Sequence, residues 1–396
     1  MNTTAEYDIR VIKSLEEIED IRNFWETHQY YPDADIDFYI AFCRANKENV
    51  SPHITVLMKK GRPDAIMIGR VDHTDFNFRF GYKVLFSTKV HSLNILYGGI
   101  IGNHSDLAHD LLFESVMDSL SKGKADVAFF NHVIVDSHIY NLVLNHPHYF
   151  FRDHSPKVNQ HWMATLSDSF DEFYRTRPKN FKNNFKKNSK RLNDRYGNNK
   201  IVKIFQDISD YKILLDDIEI IASKTYHRGM SVGFLNDQTT KERILLALEQ
   251  ERFRAYIIYL NSLPCAFLTG VKYGNTFFPW ATGYDPAFHQ YSLGTLIIME
   301  MFNAQYKEGD IQAVDFGFGD AFYKHNFCNH NWQEKPIYIY APTLKGLLLN
   351  ITKSLLDIIS NFTEHALKKF NLIDKIKKLW RAKLAQNKKD NNKNPG

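Results

Sequence analysis

The stretch WATGYDPAFHQYSLGTLII, residues 280–298, followed by DFGFGDAFYKHNF, residues 315–327, decides how this chain is read. An apolar strand pattern ending at Thr282 gives way to a loop over Tyr284 to Gln290, and Leu293 to Glu308 has helical spacing. Ser292 and Gly294 stand at that helix start. Ser favours the first position of a helix, and Gly lets a ligand approach the backbone. Free N–H groups and the dipole at such a start favour phosphate. Many helices begin this way, so the turn alone assigns no ligand. A second strand pattern, Ala313 to Phe318, ends in Asp315, Gly317, Gly319 and Asp320, with Tyr323 and Lys324 on a helix starting near Ala321. A strand opening into a helix is a frequent place for a site in a sheet protein.

Upstream of this segment, helical patterns cover Asp171 to Asn193, Tyr211 to Tyr226 and Gln238 to Gln250. Ala255 to Leu260, Cys265 to Tyr273 and Thr276 to Thr282 form antiparallel strands joined by the turns at Asn261 and Gly274. The first half repeats this alphabet more loosely. His53 to Val71 makes two strands about Gly61, Leu93 to Ile100 and Ala125 to Val135 are strands, and Ser105 to Lys122 is a helix. Hairpins followed by a strand–helix–strand crossover give an α/β fold of mixed α+β character, with mainly antiparallel sheets.

With 44% hydrophobic and 24% charged residues the composition is that of a folded globular protein. The 396 residues exceed one ordinary domain. Cys43, Cys265 and Cys328 are odd in number and far apart, so no disulfide framework is implied. No secretory leader and no apolar run of about 18 residues is present, and the expected location is the cytoplasm. The net charge of +5 is uneven: 175–203 carries eleven cations and one acid, and 366–396 carries ten cations and two acids, leaving −13 for the rest. Two local basic surfaces point to anionic partners at defined places. His325, Cys328 and His330 lack a fourth ligand at zinc spacing, so no metal is expected. The sequons at Asn103, Asn350 and Asn361 carry no meaning without secretion.

Tyr284-Asp285-Pro286, the Ser292-Leu293-Gly294 helix start, the Asp315-Phe316-Gly317-Phe318-Gly319-Asp320 turn and Tyr323-Lys324 together resemble the GNAT superfamily of acyltransferases. The branch resembled is the FemAB-like or CelD-like one, linked to polysaccharide and cell-wall synthesis. The likeness covers about 162–336, and the Tyr97-Gly98-Gly99-Ile100-Ile101-Gly102 run fits a second, degenerate copy. It implies two tandem GNAT-like lobes, 1–160 and 161–342, with acetyl-CoA or another acyl-CoA as co-substrate. The family's pyrophosphate turn falls on His289, Ser292, Leu293, Gly294 and Thr295, with His and Ser where the family has a basic residue or Gln and a glycine. Its acid falls on Tyr323. Asp320 or Asp315 is then the candidate base, Lys324 a candidate oxyanion donor, and Asp315 equally a residue that ties down the turn. Arg177, Lys179, Trp280 and Tyr284 are the expected substrate contacts. The activity implied is acyl transfer to an amine or hydroxyl of a sugar or envelope-glycan precursor. A FemAB-like aminoacyltransferase using aminoacyl-tRNA, and a GNAT-like scaffold without catalysis, stand as alternatives.

Apolar residues at 344, 348, 351, 355, 358 and 362 predict a long amphipathic helix, continuing more loosely through Phe370, Ile373, Ile376 and Trp380. With its lysines this extension, 343–385, suits packing on the body, helix pairing or lying on an anionic membrane. The polar tail 386–396 is expected to be disordered.

Overall fold

The computed structural model describes residues 7–81, 83–225 and 233–369. They fall into two compact units, 7–160 with 332–369, and 161–331.

In the first unit β1 (Tyr7–Ile12) is followed by α1 (Arg22–His28), α2 (Ile36–Ala45), β2 (Val50–Lys59), β3 (Arg62–Phe80) and β4 (Lys83–Gly102). Then come α3 (Asp106–Ser121), β5 (Val127–Ile134) and α4 (His138–Asn145). In the second, β6 (Asn159–Thr165) enters from residue 159, followed by α5 (Phe170–Thr176), α6 (Lys179–Tyr196), β7 (Lys200–Phe205), α7 (Tyr211–Ala222) and α8 (Gln238–Glu249). Next are β8 (Phe253–Leu260), β9 (Leu263–Tyr273), β10 (Thr276–Tyr284), α9 (Leu293–Glu308), β11 (Ala313–Phe318) and α10 (Lys324–Phe327). Beyond residue 331 the chain returns to the first unit with β12 (His330–Tyr340) and α11 (Leu344–Lys369).

The two sheets have equivalent orders, β1-β2-β3-β4-β5-β12 and β7-β8-β9-β10-β11-β6. In each, the fourth and fifth strands are parallel and the other neighbours antiparallel. One parallel pair with a helix crossover, inside an antiparallel meander, is the mixed sheet read from the sequence. β9 (LPCAFLTGVKY) is buried along nearly its whole length, as a central strand covered on both faces must be. Around it Tyr256, Phe277, Ile297 and Phe302 make the core that supports β10 and α9. In the first unit α3 and α4 cover the sheet with a core including Leu112, Phe113, Phe130 and Ile337. Trp25, Tyr39 and Ile66 belong to another core beside α1 and α2.

Three sequence expectations are corrected in detail. The basic helix read over Asp171 to Asn193 is two helices, because Pro178 holds Arg177 in an extended conformation (ψ 153°) and starts α6 afresh. The helix expected near Ala321 begins at Lys324. A second domain ending at 342 with a separate helical extension differs from the observed arrangement: β12 pairs with β5, and α11 lies in the first unit. Phe370, Ile373, Ile376, Trp380 and the 386–396 tail lie outside the described residues.

Gly270 of β9 stands opposite Pro279, where β10 begins its bulge, and a Cβ there meets the Phe278 carbonyl at 2.5 Å. Backbone cannot give way as a flexible side chain can. Gly270→Ala is therefore expected to lower stability by about 1–3 kcal/mol, the usual cost of overpacking, read as a lower urea midpoint. An unchanged midpoint would show that β9 and β10 separate freely.

Candidate active site

β10 and β11 pair over two rungs only, Thr276 with Ala313 and Phe277 with Val314. Past them β10 shifts register against β9 between Pro279 and Ala281, and β11 shifts against β6 between Asp315 and Gly317. Beyond these two rungs the strands no longer pair with one another.

The end of β11 is held by two buried groups. Asp315 Oδ1 accepts from the Gly317 N–H at 2.7 Å and lies 2.6 Å from His161 Nε2. Lys324 Nζ donates to the carbonyls of Phe316, Gly317 and Phe318 at 2.8, 3.0 and 2.9 Å, which uses all three ammonium protons. Burial pulls its pKa down to about 8. Gly317 and Gly319 take φ of 65° and 100°, which only glycine adopts at little cost. Asp315 and Lys324 thus hold the turn together. Lys324 is occupied as a clamp in this geometry, not as an oxyanion donor.

At the head of α9, Ser292 sits in the left-handed region (φ 54°, ψ 46°) and Asn188 Nδ2 donates to its Oγ at 2.8 Å. Thr295 and Leu296 return their N–H groups to the Ser292 carbonyl. Among the described residues neither a carbonyl nor a side chain accepts from Leu293 or Gly294, and the first turn holds no acid. This is an anion-receptive helix start. The equivalent helix of the first unit contrasts with it: Ser105 Oγ caps the Ala108 N–H, and Asp106 puts a negative charge in the first turn of α3. The two copies therefore differ at the position where a phosphate would bind.

A cavity of about 440 Å³ opens at this point. α6 contributes Asn180, Asn184 and Asn188, Ser292 lies just ahead of α9 and Thr295 in its first turn, and Tyr323 stands at the entry to α10 with Asn326 beyond it. Tyr323 is half-buried and packs edge-on to Phe316 at 6.1 Å. Of the residues singled out in the sequence, Ser292, Thr295 and Tyr323 line this cavity. Gly294 lies beside it with Tyr284 against its backbone, and Leu293 points into the core. His289 is exposed, 3.1 Å by Nδ1 from the Pro286 carbonyl. Asp320 is exposed and lies 2.7 Å from His325 Nε2, whose ring packs on Trp162 at 4.2 Å. Trp280 packs under the Arg243 guanidinium. Lys179 is exposed at the start of α6. Arg177 turns inward instead, donating to the carbonyls of Phe173, Asn326 and Phe327, which ties α5 to α10. The asparagine stripe is not among the residues picked from the sequence, where His325 figures only among the declined zinc ligands. Asn at 180, 184 and 188 repeats every four residues on a helix that asparagine disfavours, a signal that was legible. Among the described residues no group of three His, Cys, Asp or Glu is placed to hold a metal.

A family model described as an acetyltransferase (GNAT) domain matches residues 179–325. Among solved structures, FemX matches with TM-score 0.53 at 11% identity, over 86% of this chain and 100% of that one. A conserved protein of unknown function from Bacteroides thetaiotaomicron matches with TM-score 0.51 at 12% identity, over 84% and 100%. These likenesses show the fold. No curated protein matches the chain by sequence.

Lys324→Met removes the donor from three carbonyls and is expected to cost about 1–3 kcal/mol. The native pKa is lowered, so the unfolded chain binds more protons between about pH 8 and its ordinary value. Wild-type stability should then rise with pH across that window. The rise should be absent in the variant, and denaturant midpoints taken at several pH values check both points.

Proposed function

We propose that this chain is a GNAT-superfamily enzyme, a reading supported by the acetyltransferase (GNAT) domain model over 179–325 and the FemX-like fold, and that it transfers an acyl group from acyl-CoA to an amine or hydroxyl of a sugar or envelope-glycan precursor. The observation that carries the reading is the uncapped, acid-free start of α9 opening on the cavity that Tyr323 lines. The Leu293 and Gly294 amides would hold a phosphate of the donor, with Ser292 kept in its left-handed state by Asn188. Backbone N–H groups along the parted β10 are the available oxyanion donors, since the Lys324 protons are already used. Tyr323 would protonate the departing thiolate. The base for the acceptor would be Asp320 or the His325 it holds at 2.7 Å, a pair that stands outside the residues lining the cavity. No helix among the described residues is long and apolar enough to cross a membrane.

One feature favours a second reading. The outer side of α6 leaves Lys186, Lys187, Lys190, Arg191 and Arg195 exposed. Such a row suits a polyanionic donor, aminoacyl-tRNA, whose affinity would fall steeply with salt, whereas a single pyrophosphate gives a shallow dependence.

Tyr323→Phe is expected to lower turnover by roughly 10²-fold with substrate affinity nearly unchanged, the usual share of general acid catalysis. Steady-state kinetics with acetyl-CoA and an amino-sugar acceptor panel give the measurement. Full activity in the Phe variant at neutral pH would remove Tyr323 from the chemistry.

A further inference from the structure

α11 carries the apolar stripe expected from its spacing, and that stripe faces outward. Leu344 is 73% exposed and Phe362 77%, with Leu348, Ile351, Leu355 and Ile358 between 46% and 60%. The helix cannot roll to bury them, because its opposite face is fixed. Leu349 and Leu356 pack beside Phe76, Phe78 and Tyr338. Lys353 bridges Asp153 and Asp357 at 2.9 Å each, and Asn350 Nδ2 donates to the carbonyls of Phe150 and Arg152. At the far end the Gly81 N–H donates to Ser360 Oγ at 2.9 Å, which brings the β3–β4 hairpin tip to the helix. That tip exposes Val84, Leu85 and Phe86 beside the exposed cations Lys83 and Lys89. Apolar side chains on two separate elements of one unit are thus left in water, an arrangement that marks an interaction surface.

We propose that this face docks on an anionic lipid bilayer, with the helix stripe in the plane of the surface and the hairpin tip inserted beside it. The stripe runs about 27 Å at helical rise along one face, with Lys353, Asp357 and Asn350 held on the opposite face, the two-sidedness of an in-plane helix. Immediately after it, residues 366–396 carry nine Lys and one Arg against two Asp. A segment so charged is attracted to anionic headgroups and repelled by its own copy. The four–three spacing also fits a helix pair between two chains. A pair of that kind uses the stripe alone and gives no role to Val84, Leu85 and Phe86. The proposal is independent of the acyl-transfer reading; taken with it, the acceptor becomes one carried on a lipid.

The test is sedimentation of the full-length chain with phosphatidylcholine–phosphatidylglycerol vesicles and with phosphatidylcholine vesicles alone. The chain is expected to sediment with the anionic vesicles at low salt and roughly tenfold less at high salt. Leu355→Gln with Phe362→Gln, and separately Leu85→Gln with Phe86→Gln, should each weaken partitioning by roughly tenfold or more. All four positions are exposed, and circular dichroism checks that each variant is folded. A folded wild type that ignores anionic vesicles overturns the proposal. So does a lipid-free dimer, seen by light scattering, that the helix variant dissolves and the hairpin variant leaves intact. Coenzyme A binding by the same variants without lipid reports the α9 site separately, so loss of docking is not mistaken for loss of that site.

Discussion

The second unit depends on the separation of β10 from β11 after two rungs. Parallel neighbours that part leave backbone donors and acceptors without their ladder partners, and each buried one must be satisfied some other way. On the β11 side the answer is local: the Asp315 carboxylate takes the Gly317 amide, and the Lys324 ammonium takes three successive carbonyls. These contacts fix the turn that carries Tyr323 to the cavity. On the β10 side the register shifts beyond Pro279, and the loop after Tyr284 delivers Ser292 in a left-handed conformation in which, among the described residues, the Leu293 and Gly294 amides have no acceptor. Asp315 and Lys324, which look catalytic in the sequence, are supports, while Ser292, Thr295 and the Tyr323 phenol line the cavity.

The two copies of the fold make an internal comparison. Strand order, the position of the parallel pair and the crossover helix are equivalent, so the architecture alone cannot tell which copy works. The helix starts differ. In the first unit a serine side chain caps α3 and an aspartate follows it, which satisfies one amide and repels anions. In the second a serine at positive φ turns its side chain to Asn188 and caps nothing. The first copy has gained an outer helix, α11, and an extended hairpin in which β3 and β4 pair from Ala65 to Phe80.

The second copy was legible because its strands are short, apolar and punctuated by turns at Asn261 and Gly274, and its helices by caps at Asp237 and Gly309. The first was less so. Residues 7–45 gave no recognised element, since β1 alternates weakly and α1 and α2 are short. The hairpin beyond Val71 is rich in polar residues and aromatics, and reads as neither a half-buried strand nor a helix. β12 was missed because its value lies in pairing with β5, some two hundred residues earlier, which no local pattern reports. For the site, the sequence named the residue types at the turn and the structure assigned their roles. Asp315 and Lys324 are spent within the backbone, Arg177 binds helix ends, and Tyr323 alone of the proposed acids and bases lines the cavity.

The central claim is that one donor molecule binds, at the start of α9 and not at the start of α3. Calorimetric titration of the purified chain with coenzyme A tests it directly. One molecule per chain should bind. The heat should vanish when Thr295→Phe fills the cavity and persist when Ser105→Gly uncaps α3. Absence of binding in the wild type, or binding that survives Thr295→Phe in a folded protein, would contradict the account.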